Sequence, residues 1–184
     1  NIRLKTGHVF ENDWIQINEV VKMLSSLPLF IDDTPNLSLQ EIKTKIQKIV
    51  FEQKQIGLIV IDYLQLMQYS NIQMDNRAQE LSQLTRGLKT IAREFQVPVI
   101  TLSQLSRNVE NRVNKRPILA DLRESGSIEQ DADLVLMLYR DSYYNPNIED
   151  VKLTELIIAK HRNGPIGTVN LTFEDKYTKF KDYS

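Results

Sequence analysis

Between Gly57 and Leu66 the chain reads GLIVIDYLQL: an apolar run, Leu58 to Ile61, meets a single carboxylate at Asp62, and Leu64, Leu66 and Met67 resume the apolar pattern. A continuous run of this length suits a strand buried on both faces, in a parallel sheet covered by helices, better than the in/out alternation of a half-exposed antiparallel strand. Asp62 then stands at the strand's carboxyl end. Open α/β sheets place their ligands along that rim.

The flanking segments agree with such a sheet. Trp14, Ile17, Val21 and Leu24 fall at helical spacing between Glu11 and Ser26, and Pro28 ends that helix. Leu29 to Ile31 reads as a short strand closed by Asp32, Asp33 and Pro35. Ser38 followed by Glu41 forms a capping box that opens a helix with the apolar stripe Leu39, Ile42, Ile46, Ile49 and Val50. After a polar stretch from Gln68 to Asn76, a further helix carries Leu81, Leu84, Leu88, Ile91 and Phe95, and Val97 to Leu102 form the next buried strand, arriving at Ser103 and Gln104. The alternation of helix and strand predicts parallel strands joined by crossovers. Leu134 to Leu138 is another apolar strand, and 142–150 is a loop by composition. The tail changes logic. Leu156 to Ala159 and Val169 to Phe173 flank Asn163-Gly164, a hairpin signal, and Tyr177 and Phe180 suit a final short strand.

Bulk composition removes several chemistries. The 184 residues, 41% of them hydrophobic, suffice for one domain with a sizeable core. A formal net charge of -1 means that any nucleic-acid surface must be local. Without cysteine there are no disulfides, thiolate metal sites or cysteine nucleophiles, and the two histidines, His8 and His161, are too isolated for a zinc centre. No stretch matches a signal peptide or is long and apolar enough to span a bilayer, so no membrane partner is expected. The chain begins at Asn1 rather than Met, which reads as a processed or excised piece.

Four groups carry candidate chemistry. An apolar strand ending in Asp has the Walker B form, whose carboxylate holds Mg²⁺ beside nucleotide phosphates; the residues alone equally admit a buried strand with a capped turn. Gln104 ends the following strand, so its amide shares the rim with Asp62, to sense a γ-phosphate or to hydrogen-bond a loop. Arg107, Arg112, Lys115, Arg116 and Arg123 cluster among polar residues that leave the same rim, as phosphate contacts or as a solvated loop. Lys160 and Arg162, two apart before the Asn163-Gly164 turn, project together from the hairpin end, as a finger toward a neighbouring subunit's nucleotide or as an ordinary solvated tip. None of the six glycines begins GxxxxGK[ST], and Tyr63 rather than glutamate follows Asp62.

Together these segments resemble the C-terminal RecA-like motor of the DnaB family of replicative DNA helicases, without its P-loop portion. The likeness runs through nearly the whole chain: IVIDYLQL at 59–66 is similar to the family's Walker B motif, VPVITLSQLSR at 97–107 to its third motif, DLRESGSIEQDADLVLMLYRD at 121–141 to its fourth, and IIAKHRNGPIGTV at 157–169 to its finger hairpin. The RESGSIEQDAD and KxRNGP strings are the specific ones; Walker B by itself is not.

The resemblance implies that Asp62 coordinates Mg²⁺, that Gln104 couples the ATP γ-phosphate to the DNA loops, that Arg123, Glu124 and Gly126 track a single-strand backbone, and that Lys160 and Arg162 enter the next subunit's ATP site. His161 stands where many relatives carry Gln and receives no role. The implied fold is α/β: a RecA-like parallel sheet flanked by helices with a C-terminal antiparallel hairpin, residues 1–184 forming the C-terminal part of the ATPase domain. It is incomplete, because the P-loop strand would lie between the strand ending at Gln104 and Leu134 to Leu138. Such a piece is expected to be unstable and inactive without an upstream half, whether a truncation or an interrupted gene separates the two.

The implied partners are single-stranded and replication-fork DNA, five further copies in a homo-hexamer, a primase and a helicase loader. The implied compartment is a plastid stroma, to which the Ile-, Asn- and Lys-rich wording points, or a bacterial cytoplasm. Two other classes remain open on the residues: a RecA-type recombination or repair ATPase, and a non-catalytic DNA-binding or assembly fragment.

Overall fold

A computed structural model describes residues 4, 6–53, 55–68, 77–122, 126–148 and 150–183. The polar stretch expected to follow Gln68 lies almost wholly outside them, as do Arg123 and Glu124. Four helices are described, α1 (Glu11–Ser25), α2 (Leu39–Gln53), α3 (Arg77–Glu94) and α4 (Gly126–Asp131), with six strands, β1 (Ile59–Ile61), β2 (Val99–Thr101), β3 (Leu134–Tyr139), β4 (Leu153–His161), β5 (Gly167–Glu174) and β6 (Lys179–Asp182).

The strands form two sheets. β1 and β2 pair in parallel, Ile59 opposite Val99 and Ile61 opposite Thr101, whereas β3, β4, β5 and β6 make an antiparallel sheet in chain order. Among the described residues no ladder joins β2 to β3. That break falls at the strand position expected to be vacant.

The core lies on one face of the parallel pair. Ile42 and Ile46 of α2, Leu81, Leu84, Leu88 and Ile91 of α3, Ile128 of α4, and Leu64 and Met67 after β1 form one buried cluster, against which Ile59 and Ile61 pack. The period of 3.6 explains it: positions three and four apart on α2 and α3 share one face, and burying each side chain contributes about 1.5–3 kcal/mol. Lys43 and Glu94 tie the two helices at 2.8 Å. At the start of α2 the capping box is present: Ser38 N donates to Glu41 Oε2 at 2.8 Å, and Glu41 N to Ser38 Oγ at 3.3 Å.

Three expectations need correction. β1 is covered on one face only: Val60 is 58% exposed, and Leu58, Ile100 and Leu102 are exposed beside it. Residues 29–31 form no strand and are exposed, because an apolar triplet becomes a strand only where an edge is available to pair. Tyr177 lies in the turn before β6, and only Phe180 of the expected pair is in the strand, packed on Phe173 with ring centroids 4.8 Å apart.

Candidate active site

Asp62 stands at the carboxyl end of β1. Pairing with the β2 side continues past the strand ends, since Leu102 N donates to Ile61 O and Leu64 N to Leu102 O, both at 2.9 Å. Asp62 and the segment Ser103-Gln104 therefore leave the sheet along one rim, as the strand pattern anticipates. Both Asp62 and Gln104 are exposed.

Gln65, given no role from the sequence, links the two. Its side-chain Nε2 donates to Ser103 Oγ at 3.0 Å and to Gln104 O at 3.5 Å, while its Oε1 accepts from Gln104 N at 3.3 Å. An amide side chain can satisfy a backbone N–H and C=O together, which fixes Gln104 relative to the turn after Asp62. Inside an apolar string such a residue has no periodic signal; only its polarity among Leu64, Leu66 and Met67 marks it.

The donor set suits magnesium held jointly with phosphates. No group of three or more His, Cys, Asp or Glu side chains among the described residues could hold a metal. A lone exposed carboxylate fits an ion that keeps several waters and takes the rest of its ligands from a nucleotide.

The basic loops are less free than the sequence suggests. Arg112 Nη2 pairs with the buried Asp121 at 2.6 Å, and that carboxylate also accepts from Ile118 N at 2.8 Å. Arg116 pairs with Glu155 and donates to Thr168 Oγ1 at 2.9 Å, and Lys115 lies 4.8 Å from the centroid of the Tyr144 ring. Arg107 is exposed. Arg112 and Arg116 thus brace the segment that leads to residue 123 through ion pairs.

At the hairpin, the β3–β4 register slips between Val135 and Leu136: Val135 faces Lys160 and Leu136 faces Ile158, so Ala159 bulges. Such a bulge re-aims the residues beyond it. Lys160 Nζ donates to the carbonyls of Glu129 and Gln130, the latter at 3.2 Å, and Arg162 Nη2 donates to Gln130 O at 2.9 Å. The two cations do act on the same side, but they fold back onto the end of α4 and do not stand clear. His161 turns the other way, its Nδ1 3.3 Å from Pro165 O.

Asp133, also unmarked by the sequence reading, receives Arg162 N on its backbone oxygen at 2.8 Å, with Arg162 Nε 3.6 Å from its Oδ1 and Lys89 of α3 on its Oδ2. The Lys89 ammonium holds the Asp133 carboxyl below the usual carboxylate range, with Arg162 and Arg93 adding to the effect. Gly126, the one described member of the expected DNA-contacting trio, is exposed at the start of α4.

Residues 1–182 match the family model described as "DnaB-like helicase C terminal domain". The chain is 67% identical over 185 residues to a "Probable replicative DNA helicase" of Trieres chinensis, spanning 99% of this chain and 41% of that protein. It is 52% identical over 177 residues to "Replicative DNA helicase DnaC" of Bacillus subtilis (strain 168), spanning 96% and 39%. Among solved structures it resembles a DnaB-like replicative helicase described with its primase interactions (TM-score 0.84, 42% identity, 95% of this chain and 42% of that one). It also resembles a solved structure described as an ATPase domain (TM-score 0.89, 41% identity, 99% and 65%). The chain spans about two-fifths of the length of those two curated relatives. With its RecA-like α/β architecture and a match over almost its entire length, the chain belongs to the DnaB-like helicase C-terminal domain family.

Proposed function

We propose that this chain supplies the metal-holding, phosphate-sensing and finger residues of a hexameric replicative helicase that couples ATP hydrolysis to movement along single-stranded DNA and to unwinding at the fork. The observation that carries the reading is the common rim of Asp62 and Gln104, clasped by Gln65. When bound, Mg²⁺ supplies charge neutralisation for the β- and γ-phosphates of ATP. Asp62 holds that ion through its carboxylate. Gln104 presents its amide to the γ-phosphate, and Lys160 and Arg162 reach the nucleotide of an adjacent subunit. The phosphate-cradling loop comes from outside the motifs of this chain. Arg123, Glu124 and Gly126 contact the DNA backbone. Primase and a loader are the expected protein partners, and a plastid stroma the compartment, to which the Ile-, Asn- and Lys-rich wording points, with bacterial cytoplasm as the second reading.

If Arg162 acts in trans, Arg162→Ala subunits mixed with subunits altered at Asp62 recover part of the ATPase activity, because some mixed interfaces pair an intact finger with an intact metal site. Proven mixing without recovery would sink the proposal.

A further inference from the structure

The end of α4 gathers more of the finger than a solvated hairpin tip explains. Lys160 spends two of its three donors on the carbonyls of Glu129 and Gln130. Arg162 turns one edge of its guanidinium inward, with Nη2 on Gln130 O and Nε toward Asp133, and its backbone N–H is also held by Asp133 O. The opposite edge, built from Nη1 and the remaining Nη2 hydrogen, has no hydrogen-bond partner among the described residues. That is the edge able to grip an oxyanion as a fork.

The anchor itself is fixed from two sides. Thr85 Oγ1 of α3 donates to Asp131 Oδ2 at 2.6 Å, Lys89 of α3 pairs with Asp133, and Ile128 is buried in the core. Cations at a helix C-terminus also meet the negative end of its dipole, so the arrangement is favoured electrostatically.

We infer that Asp133, ion-paired to Arg162 Nε at 3.6 Å, is a positioning device that, with the terminal carbonyls of α4, orients the inner edge of Arg162 and presents its outer edge to a phosphate of the neighbouring subunit. This rests on the finger reading above and extends it: Asp133 touches no nucleotide, and it acts through Arg162.

The test uses the full-length helicase as an assembled hexamer, with Arg162→Ala, Asp133→Asn, Asp133→Ser and Asp133→Glu compared for ATP kcat, ATP KM and single-stranded DNA affinity. Misplaced positioning lowers kcat for Asp133→Asn and Asp133→Ser by about tenfold, leaves KM and DNA affinity within about twofold, and is largely restored by Asp133→Glu. If Arg162→Ala abolishes turnover while Asp133→Asn and Asp133→Ser keep wild-type kcat, the positioning role is wrong and the finger stands. If Arg162→Ala itself keeps wild-type turnover, the finger reading fails first. Parallel loss of kcat, KM and DNA affinity in every Asp133 variant, including Glu, assigns Asp133 a purely structural part and overturns the inference.

Discussion

Helices α1 and α3 carry the same kind of apolar stripe, yet they end in different environments. On α3, Leu84 is 0% and Leu81 is 1% exposed, packed among α2, α4 and the turn after β1. On α1, Trp14, Val21 and Leu24 are 53%, 52% and 44% exposed, and no residue of the helix is buried. The sheets repeat the contrast: β3 alternates buried Val135 and Met137 with exposed Leu134, Leu136 and Leu138. Periodicity specifies which face of an element is apolar. Whether that face is covered depends on what else the chain brings to it.

The largest effect expected separates the two helices directly. Leu84→Ala opens a cavity in the tightest part of the core and lowers stability by about 2–5 kcal/mol, whereas Leu24→Ala removes a largely hydrated side chain and stays within about 0.5 kcal/mol. Urea unfolding of the full-length protein with each substitution measures both. Equal losses would mean that the face of α1 is covered in solution.

The same distinction explains what could be read in advance. α3 was legible because five apolar residues repeat at helical spacing and have a core to meet. The rim of Asp62 and Gln104 was legible because two apolar runs each break off into polar residues, and parallel pairing sets their ends level. Residues 29–31 misled because an apolar triplet between Pro28 and Asp32 looks like a strand whether or not an edge awaits it. The inward turn of Lys160 and Arg162 was invisible for another reason. It depends on the bulge at Ala159 and on carbonyls about thirty residues away, a long-range relation that no local pattern encodes. Gln65 and Asp133 act through polar contacts to residues distant in sequence, which leave no period to detect.

Within β3 the contrast narrows to neighbouring residues. Met137→Ala is expected to cost about 2–3 kcal/mol and Leu136→Ala about half of that, since Met137 is 4% and Leu136 50% exposed. Thermal melts of the two variants order them. A reversed order would show that the exposed face of β3 is the one that packs in solution.

The smallest expected effect lies at the helix starts. α2 opens on a reciprocal pair, with Ser38 and Glu41 each satisfying the other's backbone N–H, whereas α1 opens at Phe10, whose side chain has no oxygen to accept one; only Asp13 Oδ2, at 3.1 Å from Phe10 N, supplies the return half. Ser38→Ala therefore costs about 1 kcal/mol, and Phe10→Ser adds up to a similar amount to α1. The pair on α2 is also pH-dependent. Hydrogen bonds from the Ser38 side chain, and then from its backbone, hold the Glu41 carboxyl below the usual glutamate range. A carboxylate whose folded value is depressed contributes stability that is present above its unfolded value and is lost as pH falls through the folded one. Acidification below the ordinary glutamate range should therefore weaken the start of α2, and Glu41→Gln should remove that part of the pH dependence while leaving the start of α1 unchanged. Amide exchange at the first turn of each helix, followed through that range, separates the two; an α2 start that opens with the same acid dependence in Glu41→Gln would assign the effect to another carboxylate.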